Sequence, residues 1–426
     1  MNARHWMAAA LWFLGAFLVG CSSDSSKPEK GTGGEPPAQP APSVELKPAP
    51  EADKQALAKD NNAFALDLYA KLREEKGNLF LSPYSLSSAL AMTYAGARGQ
   101  TAAQMAKALH FDLDAPRLHA AFADLRSTLG AAGKSAGCEL VVANALWAQQ
   151  DCGLLKELLA LTRAAYGAAA QEVDFKAAEK ARQTINAWVE KETRGKIQDL
   201  IPPDVLDAMT VLVLTNAIYF KGAWAMPFDE RGTEDAPFTL LSGEKVTVPM
   251  MRRTEEFGYL KGEGFQALEM RYRGGAFSMF VFLPAKTDGL PEFEKSLAAD
   301  KLAAWMGGTS VKEVAVSLPQ FKLTSAFRLD EALKALGLGD PFGVGADFSG
   351  MNGRKDLFIG AVLHKAFVDV NEAGTEAAAA TAVEMKKSEP MGPPPVFRAD
   401  HPFLFLIRHN PSGSILFLGR LVNPKE

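Results

Sequence analysis

The chain has 426 residues, 47% of them hydrophobic and 23% charged, a balance that fits a globular protein of one or two domains with a large core. Its formal charge of -4 and pI near 6.0, with Lys and Arg scattered rather than striped, give no electrostatic case for a nucleic-acid partner. The six histidines are too dispersed to imply a metal, and no phosphate loop, Cys-x-x-Cys pair or His-Glu-x-x-His run implies a cofactor.

Arg4 and His5 precede an apolar run from Trp6 to Val19 that is too short to span a membrane and reads as a targeting segment. Its ending, Leu18-Val19-Gly20-Cys21, resembles the bacterial lipobox, which implies a lipoprotein signal peptide over 1–20 and a lipidated Cys21. Ser22, in place of an Asp, favours the outer membrane of a Gram-negative bacterium as the address. Residues 21–50, rich in Ser, Gly, Pro and Ala, read as a flexible tether between that anchor and a domain over 51–426. Of the remaining cysteines, Cys138 and Cys152 flank a strand from Glu139 to Ala148. At about 3.4 Å per residue this holds the sulfurs roughly 30 Å apart, so both are expected as free or buried thiols.

Leu57, Phe64, Leu68 and Leu72 recur at helical spacing and predict a helix from Ala56 to Arg73. Leu79 to Leu81 is a short strand. Ser82-Pro83-Tyr84-Ser85 opens a second helix reaching Ala95, and a turn at Gly96–Thr101 leads into a third that ends at Leu109. Val211 to Phe220 is a nearly continuous run of strand formers, the signature of a central strand covered on both faces. Strands are expected at Lys245–Met251, Ala267–Tyr272, Phe277–Leu283, Glu313–Phe321 and Lys355–Asp369, with helices at 290–306 and 328–336. Leu404–Arg408 and Ile415–Arg420 form a closing hairpin around Asn410-Pro411-Ser412-Gly413. The whole is an α+β mixture, strand-rich, with helices weighted to the front.

Residues 371–402 support two conformations. Propensity favours a helix: Thr375 caps it, Glu376 sits in its first turn, Ala fills its middle, and Lys386 and Lys387 meet the cation-favouring end of the dipole. Alternation favours a strand. Thr375, Ala377, Ala379, Thr381 and Val383 make a small uncharged face, and Glu376, Ala378, Ala380, Ala382 and Glu384 make the other. Gly374 stands where a hinge would be.

Four motifs in order carry a resemblance: Asn78–Ser85, Thr215–Trp224, Asp369–Ala378 and Ala399–Arg408. From about Ala52 to Pro424 the chain resembles a serpin. The resemblance implies three β-sheets, eight or nine helices and an exposed reactive-centre loop over about 372–398. It implies an inhibitor of serine endopeptidases rather than an enzyme. The protease acylates itself on the loop, and the cleaved loop inserts into the large sheet as a new strand, distorting the protease. About a dozen inserted residues, at roughly 0.5–1.5 kcal/mol per hydrogen bond, would supply on the order of 10 kcal/mol. By the same resemblance, Glu372, Gly374, Thr375, Glu376 and Ala377 to Ala380 (Ala377, Ala378, Ala379, Ala380) form the hinge. Ser82, Ser85, Asn216 and His364 match the sheet-opening shutter, and Trp224 the breach.

The usual spacing of seventeen residues from Glu372 ends on Ser388, with Glu389 after the bond, which suits an elastase-like or subtilisin-like protease. Lys387 followed by Ser388 would suit a trypsin-like one but leaves the loop one residue short. The alternatives are a non-inhibitory serpin acting as a cell-surface binding module and a cross-class inhibitor of cysteine proteases. A monomer is expected. Ser242-Gly243-Glu244-Lys245 has Ser-x-x-Lys spacing, but it lies in a polar turn and lacks the partner motifs of penicillin-binding enzymes.

Overall fold

The computed structural model describes residues 44–375 and 393–426. Cys21, Glu376, Ala377 to Ala380, Lys387, Ser388 and Glu389 therefore lie outside the described residues. The helices are α1 (Glu51–Leu72), α2 (Pro83–Gly96), α3 (Gly99–Ala108), α4 (Ala115–Ala136), α5 (Lys156–Leu161), α6 (Ala178–Glu192), α7 (Leu290–Lys295), α8 (Ala299–Gly307), α9 (Asp330–Ala335) and α10 (Ser349–Asn352). The strands are β1 (Leu79–Leu81), β2 (Glu139–Gln149), β3 (Ala169–Val173), β4 (Leu212–Ala223), β5 (Glu234–Thr239), β6 (Lys245–Lys261), β7 (Phe265–Arg271), β8 (Phe277–Pro284), β9 (Ser310–Pro319), β10 (Phe321–Arg328), β11 (Ala361–Asn371), β12 (Gly374–Thr375), β13 (Val396–Arg398), β14 (Phe403–His409) and β15 (Ile415–Leu421).

Two hydrogen-bonded sheets hold them. A six-stranded sheet runs β10-β11-β12-β4-β2-β3, and a nine-stranded one runs β1-β15-β14-β8-β7-β6-β9-β13 with β5 paired to β6. The third expected sheet joins the second, because β6 continues for 17 residues and belongs to both parts. The architecture is the expected mixed α+β fold, with ten α-helices among the described residues.

β4 shows why its sequence is so apolar. Leu212, Leu214, Ile218 and Phe220 enter the main core between the sheets, while Val213, Ala217 and Tyr219 enter a second core. That second core lies under α6, whose Ala181, Ile185 and Val189 are buried. A strand covered on both faces has no position left for a solvated side chain.

Several boundaries differ from expectation. The strand expected over 313–321 is two: β9 ends at Pro319, Gln320 turns, and β10 starts in the other sheet. The helix expected over 290–306 breaks at Ser296–Ala298, where Ala298 is fully extended (φ -146°, ψ 151°). The strand expected from Lys355 starts at Ala361, and the one expected over 245–251 runs on to Lys261. α4, α6, β3, β5 and β13 lie where the sequence gives no expectation. At the front, Leu46 packs against the core and the Ala49 amide donates to Asp124 Oδ2 at 2.8 Å.

Candidate functional site: the loop hinge and the seam beneath it

β11 and β4 pair in parallel from Ala361–Val213 to Phe367–Tyr219 and then separate. Gly374 and Thr375 fill the gap as a two-residue strand, antiparallel to both neighbours. Thr375 faces Val370 on one side and Gly222 on the other, while Gly374 faces Asn371 and Ala223. The turn is closed by Asn371, whose Oδ1 accepts from the amides of Ala373 (3.1 Å) and Gly374 (3.3 Å).

Gly374 is required by both conformation and space. Its φ is +150°, and a Cβ there would stand 2.1 Å from the Gly222 carbonyl oxygen. Thr375 is fully buried, and its Oγ1 lies 2.7 Å from the Tyr272 hydroxyl. Burial pushes the Tyr272 phenol well above its ordinary pKa, so the hydroxyl stays protonated. Tyr272 stacks on Trp224, with ring centroids 4.5 Å apart, and Trp224 pins the turn: its indole Nε1 donates to the Asn371 carbonyl at 3.0 Å and its amide to Ala373 at 2.9 Å. Glu372 is buried beside them. Its Oε1 accepts from Thr233 Oγ1 at 2.5 Å and Gln320 Nε2 at 2.7 Å, and its carbonyl accepts from the Phe228 amide at 2.9 Å.

Lower in the seam, the four polar residues singled out in the sequence come together. His364 and Asn216 are register partners across β11 and β4, and His364 Nδ1 bonds Asn216 Oδ1. His364 Nε2 accepts from the Ser82 amide at 3.1 Å, so the proton sits on Nδ1 and donates to Asn216. Desolvation holds the His364 pKa down at about 3, with the Asn216 bond opposing, so the ring is neutral. Asn216 Nδ2 donates to Ser85 Oγ at 2.5 Å and also to Asn144 on β2. Ser82 serves twice: it caps α2, its Oγ accepting from the Ser85 amide at 3.2 Å, and it donates to the Leu416 carbonyl at 2.6 Å.

Sequence reasoning missed Asn144, Tyr272, Thr233 and Gln320. Asn144 had a signal: it is the one amide inside the apolar run Leu140–Ala148, and a polar residue there needs partners. Cys138 and Cys152 are buried thiols outside any disulfide, and burial pushes them up to about 11 and about 12 respectively.

A family model described as "Serpin (serine protease inhibitor)" matches residues 59–424. The chain belongs to the serpin family. Bovine leukocyte elastase inhibitor is 46% identical over 381 residues, covering 87% of this chain and 100% of that protein. The human leukocyte elastase inhibitor is 44% identical over 382 residues, with the same coverage. Among solved structures, Serpin48 of the insect Tenebrio molitor matches with a TM-score of 0.79 and 33% identity, covering 87% of this chain and 98% of that serpin.

These relatives correct the expected location. The bovine and human leukocyte elastase inhibitors are matched over their whole length by 87% of this chain, and the family model begins at residue 59, past the leader. They overturn the reading of a lipid-anchored protein of a Gram-negative outer membrane.

Proposed function

We propose that this serpin inhibits an elastase-like serine protease as a suicide substrate, trapping the acyl-enzyme when the cleaved loop inserts between β11 and β4. The observation that carries this reading is the position of Gly374 and Thr375. The loop's first two residues already bridge the two strands by backbone pairing, so insertion would continue an existing strand rather than nucleate one. Continuation adds a ladder bond for each residue ordered and avoids the cost of a new nucleus.

In this reading, the His364–Asn216 bond crosses the seam that has to part, while Asn216, Asn144 and Ser85 stay together on the other side and keep Asn216 Nδ2 satisfied. Ser82, Ser85, Asn216 and His364 act as the shutter, and Trp224 holds the turn at the breach. Ala377 to Ala380 follow Thr375 as the small residues that enter next. The names of the relatives favour a protease with a small pocket and therefore cleavage at Ser388–Glu389 over Lys387–Ser388.

The test is to mix the protein with pancreatic and leukocyte elastase, subtilisin and trypsin. Expected is an SDS-stable complex with an elastase and a released C-terminal fragment beginning at Glu389. Cleavage without a complex, and without a rise in thermal stability of the cleaved protein, overturns the proposal.

A further inference from the structure

The turn between β11 and β12 consists of Glu372 and Ala373, with Asn371 and Gly374 paired across it. Two-residue turns whose twist matches that of the strands they join need a positive φ at their first position, and neither Glu372 nor Ala373 has one. The backbone alone therefore does not favour this hairpin.

Asn371 supplies what the backbone lacks. Its carboxamide oxygen takes the amides of Ala373 at 3.1 Å and Gly374 at 3.3 Å. An Asn side chain bonded to the chain two residues on imitates a backbone turn. The carbonyls of Asn371, Glu372 and Ala373 are taken in their turn by the Trp224 indole, the Phe228 amide and the Trp224 amide, so the segment 224–228 grips the turn that Asn371 shapes.

The register set by this turn has little tolerance. Thr375 stands opposite Val370 and Gly222 on the face of the main core, with its hydroxyl on Tyr272. A slip of one residue would send that side chain to the other face of the sheet. It would also bring Ala373 or Thr375 to the place of Gly374, where a Cβ stands 2.1 Å from the Gly222 carbonyl oxygen.

We infer that Asn371 is a positioning residue for loop insertion: by holding the Glu372–Ala373 turn, its carboxamide fixes the register in which the cleaved loop enters between β11 and β4. This rests on the insertion reading given above, and the two are separable by experiment.

Wild type, Asn371→Ala and Asn371→Asp are each titrated into leukocyte elastase, and each is also cleaved in the loop by thermolysin, a metalloprotease that forms no acyl-enzyme. Expected for Asn371→Ala is a stoichiometry of inhibition at least about threefold above wild type, an unchanged rate of loop cleavage, and a smaller gain in melting temperature after thermolysin cleavage. Asn371→Asp, whose carboxylate accepts from the same two amides, should restore the wild-type values. A merely structural role would instead lower the stability of the uncleaved protein and leave the stoichiometry unmoved. Should Asn371→Ala not fold, Asn371→Ser, whose hydroxyl makes the same turn more weakly, should fall between alanine-like and wild-type behaviour. Wild type that forms no complex and gains no stability on cleavage overturns the insertion reading, and this inference with it. Wild type that traps elastase or gains stability on cleavage, with both measures unchanged in the alanine or serine variant, overturns this inference alone.

Discussion

The hydroxyls of Tyr272 and Thr375 lie 2.7 Å apart in a fully buried contact, joining the residue that follows β7 to the second residue of β12. In the proposed mechanism this bond fixes where insertion starts. Tyr272→Phe leaves the Trp224 stack in place and removes one buried hydrogen bond, leaving Thr375 Oγ1 unmatched, at a cost of about 1–2 kcal/mol to hinge docking. Expected is a stoichiometry of inhibition several-fold above wild type, as more acyl-enzyme hydrolyses before capture. A stoichiometry unchanged from wild type would show that the bond is incidental.

Thr375→Arg is a stronger version. Thr375 has no exposed surface, so an inserted guanidinium would have to be buried where Thr375 meets Val370, Gly222 and Tyr272, none of them a carboxylate. The variant should be cleaved at the wild-type rate and form no SDS-stable complex, behaving as a substrate. Retained complex formation would refute this.

Gly374→Ala strains the same point through the backbone. A methyl group 2.1 Å from the Gly222 carbonyl oxygen cannot be accommodated, and φ near +150° is closed to alanine. The pair Gly374–Thr375 should leave the sheet, and limited proteolysis should cut the hinge faster than in wild type. Equal protection in the two proteins would contradict the docked geometry.

Much of this site was legible because its residues break local patterns. His364 and Asn216 interrupt apolar strands, and Gly374 precedes a run of small residues with alternating faces, so each stands out in one dimension. Tyr272, Thr233 and Gln320 do not. Each is ordinary for its local element, and its role exists only where the start of β5 and the ends of β7 and β9 meet residues 372–375. The propensity of residues 375–387 for helix is real, but Thr375 is extended between two strands, where partners on both sides outweigh intrinsic preference. Helix α6 escaped notice for a related reason. Its buried face is only Ala181, Ile185 and Val189, a narrow stripe on an otherwise charged helix. The outer-membrane address failed differently: it rested on residues 1–50, which lie before the region shared with the family.

The pair His364–Asn216 should couple strongly. Asn216 also donates to Ser85 and Asn144, so Asn216→Ala strands several buried groups at once and should destabilise by about 2–4 kcal/mol. His364→Ala leaves the Ser82 amide and Asn216 Oδ1 unmatched, for about 2–3 kcal/mol. The double variant should cost at least about 1 kcal/mol less than the sum, because both remove the same bond. Urea unfolding of the four proteins measures this, and strict additivity would mean that the two side chains do not act as one network.

Acid should weaken the fold through its buried imidazoles. Desolvation lowers His364 to about 3, His119 to about 4 and His409 to about 4, each from an ordinary value of 6.5. Each is neutral in the folded state and protonates more readily when unfolded, so the unfolded chain binds more protons below pH 6.5. Their contribution is complete above that pH and is lost as pH falls toward 4, at up to about 1.4 kcal/mol per pH unit for a fully buried ring. Asp60 opposes them: burial raises its carboxyl to about 6, so the folded state takes up its proton first. Three groups against one still leave a net loss. Unfolding free energy measured in urea should fall steadily from pH 7 to pH 4.5, and His364→Gln should flatten the slope. Stability that stays level or rises over that interval would show that these rings are not held neutral.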